Sequence, residues 1–532
     1  MDCISTRLPY REAGVFSKVA TDYIDQADAL KPFFKHTPTL NGIQQSIEAR
    51  KKFATNRNVL VAELKKQYGA LLSGKVADNI IALASENTFT VTTAHQPSIL
   101  TGPLYFIYKI LHAVKLADQL KASLPQYNFV PVYYMGSEDA DLEELGHIYI
   151  EERKLVWGTK QTGAVGRMEV DNAFLQLIDA AEGQLAVLPN GKEIIGTIRK
   201  IFTKGVSIQE ATFRFVHELF SHYGLVVLIP DNASLKQQAI DIFKDDLLHQ
   251  KPSELVGQTI ERLHQAGYKT QANPREINLF FLDKNIRERI IKENDVFKVQ
   301  GTDASFSEEG IVNELKAHPE RFSPNVILRG IFQEIILPNI VFIGGGSELA
   351  YWLQYGDLFT NYQVPYPVLV LRNSFLVAEK TWLDKVSRLG FAMEDFFSPE
   401  QVLMNKLVAR ESKNEVRLNG SLSQVKDLYE SFKKQAGAVD QTLSKHVDAL
   451  KERAVQRLEE LEKKMLRAEK RKFSDQQRQI QNIKAKLFPN NGLQERRDNM
   501  LYFYAKWGGE FIQQLYIHSL GLEQEFVILT ER

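Results

Sequence analysis

The sequence is poor in features that mark several common protein classes. It has a single cysteine, Cys3, among 532 residues, which excludes an intrachain disulfide and a cysteine-rich zinc site. Because Cys3 lies next to the N-terminus, we predict an inert residue rather than a reactive thiol. Basic and acidic residues are equal at 66 each, so no net charge attracts the chain to nucleic acid or to anionic lipid.

Long apolar runs are also missing. No run approaches the roughly 20 residues that a membrane-spanning helix needs, and the N-terminus lacks the profile of a signal peptide. We therefore expect a cytoplasmic protein with neither a membrane nor a nucleic-acid partner. The hydrophobic content of 44% is enough for a large core, and the length predicts two or three structural units.

The clearest pattern is a strand–helix–strand alternation. A β-branched run over residues 89–94 ends in a polar turn at His95, and apolar residues then recur at helical spacing over 104–120. A second apolar run, over 129–135, ends at the acidic sequence SEDAD, residues 137–141. This order is typical of a βαβ unit in a parallel sheet.

Three further apolar runs also end in polar or glycine-rich turns. Residues 225–229 lead to Asp231, residues 340–343 lead to a triple glycine, and residues 368–371 lead to Arg372. Helices are predicted between these strands, over 208–223, over 325–337 and from the glycines to about 359. Since ligands bind beyond the carboxyl ends of parallel strands, five such strand ends at one edge predict the functional site.

The remaining N-terminal sequence frames this core. Residues 1–88 are predicted to be mostly helical and to pack against the sheet. Two segments, at about 150–205 and 250–325, are interpreted as insertions, the first rich in glycine and short strands and the second strand-like over 275–301. We place the Rossmann-like core with its two insertions within residues 1–390.

The C-terminal composition predicts a coiled coil. Apolar residues between Leu422 and Ala468 recur mostly every three or four positions, and about half of residues 451–486 are charged with both signs interspersed. We assign residues 391–500 to a helical coiled-coil domain and 501–532 to a helix and strand that return to the core. A helix from Leu493 to Leu520 is expected after the turn at 489–492.

An apolar seam of this length needs a partner to cover it. A homodimer through the coiled coil is the predicted solution. An antiparallel hairpin within one chain is the alternative.

The glycine loop at 344–346 and His95 each allow two interpretations. Glycines at a helix start let backbone N–H groups bind a phosphate or a carboxylate, but a tight left-handed turn needed only for packing is the alternative. Walker A and GxGxxG sequences are absent. His95 at a strand end can stabilise negative charge on a transferring group, or it can cap nearby backbone.

The acidic cluster Glu138, Asp139 and Asp141 also allows two interpretations. Carboxylates this close repel one another and need a cation, so a substrate ammonium or Mg²⁺ would fit. The alternative is a solvated acidic helix start. The sequence contains no HExxH motif, no Ser-His-Asp signature and no Cys/His metal spacing, and we assign no metal ligand.

These motifs, in this order, resemble the bacillithiol biosynthesis cysteine-adding enzymes. The matching pieces are TGPLYFIYK (101–109), SEDADLEEL (137–145), HPERFSPNVILRGIFQE (318–334) and FIGGGSELAYW (342–352). The resemblance covers essentially the whole chain. It implies a Rossmann-like, nucleotidyltransferase-type parallel α/β core with inserted segments and a coiled-coil dimerisation domain. It also implies a ligase that joins L-cysteine to glucosaminyl malate by an amide bond, the last step to bacillithiol.

Motifs and strand ends together define the candidate site. The catalytic candidates are His95, Glu138, Asp139 and Asp141. The candidates for binding substrate or nucleotide are Gln96, Gly102, Tyr105, Lys109, Asp231, Asn325, Arg329, Gly344, Gly345, Gly346, Ser347, Glu348, Tyr351, Trp352, Arg372 and Asn373.

The chain departs from the family pattern at two places. Family members often read GQQ where this chain has Ala94-His95-Gln96, and EDHD where Ala140 separates two aspartates. A histidine role at position 140 therefore does not carry over, and His95 or His147 is the candidate to replace it.

The sequence does not identify the energy source for activating the carboxyl group. Activation by ATP with Mg²⁺ suits a nucleotidyltransferase-like core, yet the sequence has no mobile-lysine signature. Two other functions compete: a nucleotide-dependent transferase acting on another small acid or on tRNA, and a coiled-coil scaffold with a vestigial α/β binding module.

Overall fold

The computed structural model describes residues 2–412 and 418–532. The chain divides into two compact units, the first comprising residues up to 376 together with 493–532 and the second comprising residues 377–492. The strands, in chain order, are β1 Cys3–Pro9, β2 Thr88–His95, β3 Asn128–Met135, β4 His147–Ile150, β5 Arg153–Val156, β6 Val226–Leu228, β7 Leu279–Asp283, β8 Ile286–Glu293, β9 Val296–Val299, β10 Ser305–Phe306, β11 Phe322–Pro324, β12 Asn339–Gly344, β13 Val368–Leu371, β14 Ser374–Ala378 and β15 Glu525–Glu531.

The α-helices surround these strands and form the second unit. They are α1 Tyr10–Ala13, α2 Lys18–Ile24, α3 Leu40–Lys51, α4 Arg57–Tyr68, α5 Gly74–Ala82, α6 Tyr105–Ser123, α7 Leu142–Leu145, α8 Asn172–Leu185, α9 Gly191–Ile201, α10 Ile208–Phe220, α11 Ala233–Lys236, α12 Ile240–His249, α13 Lys251–Gln265, α14 Glu308–Ala317, α15 Val326–Ile336, α16 Gly346–Trp352, α17 Gly356–Asn361, α18 Lys380–Arg388, α19 Glu400–Glu411, α20 Asn419–Val439, α21 Leu443–Lys470, α22 Ser474–Leu487, α23 Met500–Trp507 and α24 Gly509–His518. Among the described residues, no helix has both the length and the apolar character needed to cross a membrane.

The central sheet is parallel and confirms the predicted Rossmann-like core. Its strand order is β13-β12-β2-β3-β6, and every neighbouring pair runs parallel. These strands read as continuous apolar or β-branched runs because both of their faces are covered. Ile43 of α3 and Leu116 of α6 belong to one buried cluster with Phe89, Val341 and Val370 of the sheet.

The strand register brings the predicted polar ends to one edge. His95 lies opposite Met135 at the ends of β2 and β3, and Gly344 lies opposite Leu371 at the ends of β12 and β13. The turns that follow these four strands therefore begin at nearly the same height above the sheet. The central β2 is flanked on both sides by strands that end in candidate site residues.

The N-terminal prediction needs one correction. Residues 3–9 form a strand, not a helix, and pair antiparallel with β15 from Cys3 opposite Glu531 to Pro9 opposite Glu525. Only Cys3 and Leu8 of this strand are buried, so it has no strong apolar alternation. Its partner lies at the other end of the chain, where local pattern gives no signal. Burial raises the pKa of the Cys3 thiol to about 11, which agrees with an inert residue.

The first predicted insertion is mostly helical, so the expectation of short strands is wrong for most of it. The hairpin of β4 and β5 precedes two helices, α8 and α9. Isoleucines at 194, 195, 198 and 201 are buried along α9, a helical spacing that glycine content obscured. In the second insertion the antiparallel meander of β7, β8 and β9 agrees with the strand-like pattern.

Two predicted long helices are each broken in two. The helix expected up to 359 divides into α16 and α17, and the helix expected from 493 to 520 divides into α23 and α24. Gly508 separates the second pair with a φ of 64°, a left-handed conformation that glycine adopts readily. Asn499 starts α23 by accepting a hydrogen bond from the Leu501 N–H at 2.9 Å.

The second unit contains the predicted coiled coil. Helices α20 and α21 pack side by side as a hairpin around a turn at 440–442. Ion pairs of Lys433 with Asp448 and of Lys451 with Glu430, each 2.7 Å, connect the two helices. This intrachain hairpin is the alternative that the sequence left open. The dimer stays a prediction.

Candidate functional site

A cavity of about 520 Å³ opens at the carboxyl ends of the parallel strands. Residues from the turns after β2, β3, β12 and β13 line it, as do residues of α6 and α15. The predicted site residues at its wall are His95, Gln96, Tyr105, Lys109, Glu138, Asp139, Asn325, Arg329, Gly345, Gly346, Ser347, Glu348, Tyr351 and Arg372. The cavity therefore lies at the strand ends, where the sequence predicts the site.

Two predicted acidic residues lie outside the cavity wall. Asp141 is exposed, and its Oδ1 accepts a hydrogen bond from the Glu144 N–H at 2.9 Å, so it caps α7. The Asp231 side chain is only 2% exposed, and Arg167 binds both of its carboxylate oxygens at 2.7 Å. Both carboxylates therefore have structural partners in the protein.

Four other candidates support the wall from behind. Gly102 has a φ of 61° next to Leu100 and Thr101, which also have positive φ. Trp352 is fully buried against the Phe342 ring, with 4.4 Å between ring centroids. The remaining two are Gly344, which ends β12, and Asn373, whose amide donates to the Leu520 carbonyl at 3.1 Å.

His95 is a neutral, buried histidine. Its ring lies 5.3 Å from the rings of both Tyr105 and Phe106. Burial, followed by the nearby charges of Lys109, Arg372 and Arg329, holds the pKa of His95 well below its usual value. Within the described residues its Nε2 atom has no hydrogen-bond partner, so the ring does not cap local backbone through this atom.

Glu138 is neutralised by the protein itself. Its carboxylate pairs with the Lys236 ammonium, which is fully buried. Lys236 also lies 3.4 Å from Asp231 Oδ1 and donates to the Glu320 carbonyl at 3.1 Å. Burial raises the pKa of Glu138, whereas Lys236 acts in the opposite direction. This carboxylate therefore needs no external cation, which corrects the expectation for the acidic cluster.

Asp139 is the carboxylate of the cluster that remains available. Its Oδ2 accepts a hydrogen bond from Gln96 Nε2 at 3.2 Å, and no cationic side chain of the described residues lies within the 4.0 Å ion-pair distance. The part of the chain that the structure describes contains no group of three His, Cys, Asp or Glu side chains able to hold a metal ion. Asp139 can therefore hold a ligand ammonium.

The glycine loop turns without a left-handed residue at Gly345. Gly345 has a φ of −73°, so the left-handed alternative is wrong. Its N–H donates to Glu348 Oε2 at 2.8 Å, and Glu348 also pairs with Lys109. A Cβ at Gly344 would lie 2.8 Å from the Phe342 ring, so packing requires glycine there. The nearest loop N–H already has an internal acceptor.

The two predicted arginines are held differently. Arg372 pairs with the buried Glu495 at 2.7 Å, and its guanidinium lies 5.0 Å from the centre of the Tyr105 ring. Arg329 donates to the Tyr351 hydroxyl at 2.5 Å, and no carboxylate of the described residues is within ion-pair distance of it. Arg329 therefore presents an uncompensated positive charge to the cavity.

Sequence reasoning missed several residues of the site. Arg287 of β8 and Arg496 line the cavity together with Tyr134 and Glu144. Tyr134 lies in the apolar run 129–135 and Glu144 in the motif SEDADLEEL. Both segments were already assigned to the site, so the sequence could have indicated these two residues. Arg287 comes from the second insertion and Arg496 from the segment after the coiled coil, and no local pattern connects either to the strand ends.

The fold and the cavity define a Rossmann-like protein with a mixed-charge small-molecule site. A family model described as "Bacillithiol biosynthesis BshC, N-terminal Rossmann-like domain" matches residues 1–373. A second, "Bacillithiol biosynthesis BshC, C-terminal coiled-coil domain", matches residues 375–531. The chain belongs to the BshC family of bacillithiol biosynthesis.

Relatives of similar length carry one name. Proteins named "Putative cysteine ligase BshC" from Flavobacterium johnsoniae and Flavobacterium psychrophilum are each 38% identical to this chain. The matches cover 99% of both chains for the first, and 97% of this chain and 96% of the relative for the second. A relative of the same name from Cytophaga hutchinsonii is 37% identical over 96% of each chain.

A solved structure gives only a distant match. It is described as "crystal structure of putative arginyl t-RNA synthetase from Campylobacter jejuni" and covers 85% of this chain and 100% of its own at 11% identity. The TM-score is 0.20, and no argument about fold or function rests on it.

Proposed function

We propose that the protein joins the carboxyl group of L-cysteine to the amine of glucosaminyl malate. The observation that carries the proposal is a set of three cavity arginines, Arg287, Arg329 and Arg496. Within the described residues, no carboxylate lies within 4.0 Å of any of these guanidinium groups. Unpaired arginines at a cavity wall favour an anionic ligand, and glucosaminyl malate carries two carboxylates.

The same cavity offers a place for the acceptor amine. Asp139 lines it without an ion-pair partner, while Glu138 beside it is already neutralised by Lys236. The Asp139 carboxylate and three guanidinium groups without ion-pair partners match an acceptor with one ammonium and two carboxylates, together with the carboxylate of the amino acid. Charge complementarity of this kind supports small polar substrates rather than an apolar ligand.

His95 keeps the catalytic role that we expect, as a neutral imidazole. A neutral imidazole with an N–H group can donate a hydrogen bond to the oxygen of the activated carboxyl group. The acceptor ammonium first gives up one proton to water and becomes a nucleophilic amine. Its nitrogen then bonds to the carboxyl carbon and loses a second proton, while the bond from that carbon to the activating group breaks and the activating group leaves with the electron pair. The unpaired Nε2 of His95 would gain a partner when the substrate binds.

ATP with Mg²⁺ is the source of activation that we propose, and when bound it would activate the carboxyl group of L-cysteine. Nucleotide-bound Mg²⁺ is held mainly by phosphates and water and needs only one or two protein carboxylates. Glu144, at the cavity wall, remains for this purpose once Asp139 holds the amine. The absence of a three-residue metal site among the described residues is compatible with this arrangement.

The direct test is an assay of the purified protein. Glucosaminyl malate, L-cysteine and ATP with Mg²⁺ should yield bacillithiol, identified by mass, and the nucleotide product identifies the bond broken in activation. Arg329→Ala should lower turnover by roughly 100-fold because it removes a charged contact in the cavity. The matched control is Arg214→Ala, whose guanidinium pairs with Glu210 on the surface of α10 and should leave turnover unchanged.

Two results would contradict the proposal. If the protein transfers another small acid to the acceptor and does not transfer cysteine, the transferase alternative is correct. If it transfers nothing with any nucleotide while glucosaminyl malate fails to bind, the scaffold alternative is correct.

A further inference from the structure

Arg287 is held in position by two contacts that leave its terminal nitrogens free. Its guanidinium lies 4.0 Å from the centre of the Phe280 ring on the neighbouring strand β7. Its Nε donates to Ser323 Oγ at 3.2 Å. The ring fixes the plane of the guanidinium and the hydroxyl fixes its near edge. Within the described residues, neither terminal nitrogen has a hydrogen-bond acceptor, although the side chain lines the cavity.

The charges nearest to Arg287 are acidic but do not pair with it. Burial lowers the pKa of Arg287, and the carboxylates of Asp139 and Glu138 oppose that shift. Neither carboxylate comes within 4.0 Å of the guanidinium. Glu138 pairs with Lys236 instead, whereas Asp139 has only the neutral Gln96 amide as a side-chain partner. An unpaired carboxylate and an unpaired guanidinium thus face the same part of the cavity across a gap.

A gap of this kind fits a ligand that carries an ammonium and a carboxylate a few bonds apart. We infer that Asp139 and Arg287 form a two-point subsite, in which Asp139 binds the acceptor ammonium and Arg287 binds a carboxylate of its malate. In glucosaminyl malate the amine is on C2 of the sugar and the malate is attached through an oxygen at C1, so the ammonium and a malate carboxylate lie a few bonds apart. This inference rests on the proposed function and assigns the acceptor to one end of the cavity.

The strand order of the core sheet separates this subsite from Arg372. Asp139 follows β3, whereas Arg372 follows β13, and two strands lie between them. Three strand spacings of about 4.8 Å put these two strand ends about 14 Å apart. The acceptor therefore occupies the β3 end of the cavity, and the region near Arg372 and Lys109 is left for the amino acid and its activating group.

The subsite makes the second insertion a specificity element. The hairpin of β7 and β8 supplies both Arg287 and the Phe280 ring that orients it. An acceptor without malate should bind at Asp139 but gain nothing from Arg287. Selectivity for the malate-bearing sugar then depends on one guanidinium.

Calorimetric binding to the full-length protein, without cysteine or nucleotide, tests this inference. The ligands are glucosaminyl malate and methyl α-glucosaminide, which keeps the amine and lacks both carboxylates. Arg287→Gln should raise the Kd for glucosaminyl malate by roughly 10-fold to 100-fold, since hydrogen bonds to charged groups carry that much affinity. The Kd of the same variant for methyl α-glucosaminide should change by less than about threefold, which is within the scatter of neutral substitutions.

The control variant is Arg289→Gln. Arg289 lies two residues further along β8, is exposed and does not line the cavity, so this change should affect neither ligand. If Arg287→Gln weakens both ligands equally, or weakens neither, the subsite is refuted.

Adding cysteine and ATP with Mg²⁺ to the same samples separates this inference from the proposed function. Selective loss of malate binding without any bacillithiol would sustain the subsite and contradict the ligase proposal. If bacillithiol forms but Arg287→Gln weakens the binding of both ligands equally, the ligase proposal is sustained and the subsite is contradicted.

Discussion

At the scale of single residues, the structure distinguishes carboxylates that are free from carboxylates that are occupied. Asp139 and Asp141 are two positions apart, yet only Asp139 lines the cavity. Asp141 accepts the Glu144 N–H and caps α7. Glu138, between a strand end and Asp139, is compensated by the buried Lys236. Sequence proximity therefore does not imply a shared role.

This difference gives a matched pair of variants. Asp139→Asn should lower turnover by roughly 100-fold, because the amide cannot compensate the acceptor ammonium, and its melting temperature should hardly change. Asp141→Asn should keep turnover within about threefold of wild type, since asparagine is also a good helix cap. Steady-state assays and thermal unfolding of both variants provide the measurement. Equal losses of turnover would remove Asp139 from its assigned role.

A second residue-scale prediction concerns the pH dependence of stability. Burial raises the pKa of Asp246 to about 7, with Asp245 acting in the same direction and two hydrogen bonds from Asn278 opposing the shift. An unfolded aspartate titrates near 3.9, so the folded state retains a proton that the unfolded chain has released. The stabilisation is complete below about pH 4 and is lost as the pH rises through 7.

Removing this group should flatten the pH profile. Between pH 5 and 8 the melting temperature of the wild type should fall more than that of Asp246→Asn. The variant should start lower, because its single amide oxygen cannot replace both carboxylate oxygens that accept from Asn278, and its NH2 group faces one of these donors. Glu334, whose pKa is also raised to about 7 by burial, contributes equally to both proteins. Parallel profiles for the two proteins would contradict the assignment.

The sequence indicated cavity residues where the signal was local. His95, Asp139 and Arg372 directly follow predictable buried strands, and all three line the cavity. Lys236 and Glu495 act on Glu138 and Arg372 from distant parts of the chain. A single sequence carries no information on such long-range pairs, because nothing in the local pattern depends on the partner.

At the scale of elements, the segment that follows the second unit completes the site. Glu495 accepts from Arg372, from the Ser374 hydroxyl at 3.2 Å and from the Phe375 N–H at 3.1 Å. Asn499 donates to the carbonyls of Leu100 at 2.9 Å and Gly102 at 2.6 Å. Residues 493–499 thus fix both the cavity arginine and the turn before α6.

Loss of the Glu495 carboxylate tests this role. Glu495→Gln leaves the buried Arg372 charge without its partner and should destabilise the protein by about 3–5 kcal/mol. The double variant with Arg372→Met and Glu495→Leu should recover part of this loss, because no unpaired charge remains. Turnover should stay low in both, since Arg372 lines the cavity. Chemical unfolding and steady-state assays separate the two effects.

The result that contradicts this account is specific. If the double variant is as unstable as Glu495→Gln, packing rather than charge determines the effect. If the double variant also regains turnover, Arg372 has no part in the site.

Elements were predictable where they bury both faces. The strands β2, β3, β12 and β13 form continuous apolar or β-branched runs, and their positions agree with the sequence within a few residues. The edge strand β1 was missed because most of its residues are exposed. The division between α23 and α24 depends on one backbone conformation at Gly508, which periodicity over a long window does not register.

At the scale of the whole molecule, the predicted homodimer remains a proposal. Helices α20 and α21 already pair within the chain, yet several of their large apolar residues stay exposed: Leu428, Phe432, Val439, Leu443, Leu450 and Leu461. An exposed apolar stripe on a helical hairpin favours a second copy. Light scattering at micromolar concentration should give twice the 60.7 kDa mass of one chain.

Charged substitutions at this stripe should separate the copies. Leu428→Lys together with Leu461→Lys should give a single-chain mass, while an exposed site away from the stripe, Val187→Lys in the first unit, should not. A single-chain mass for the wild-type protein would remove the dimer.

We propose that the cavity at the strand ends forms bacillithiol from cysteine and glucosaminyl malate. Mass spectrometry of thiols in a strain that lacks the gene tests it most directly. The strain should accumulate glucosaminyl malate and lack bacillithiol, and the wild-type gene should restore bacillithiol whereas the Asp139→Asn gene should restore little. Wild-type bacillithiol levels in the strain without the gene, with no second copy of the enzyme, would contradict the account.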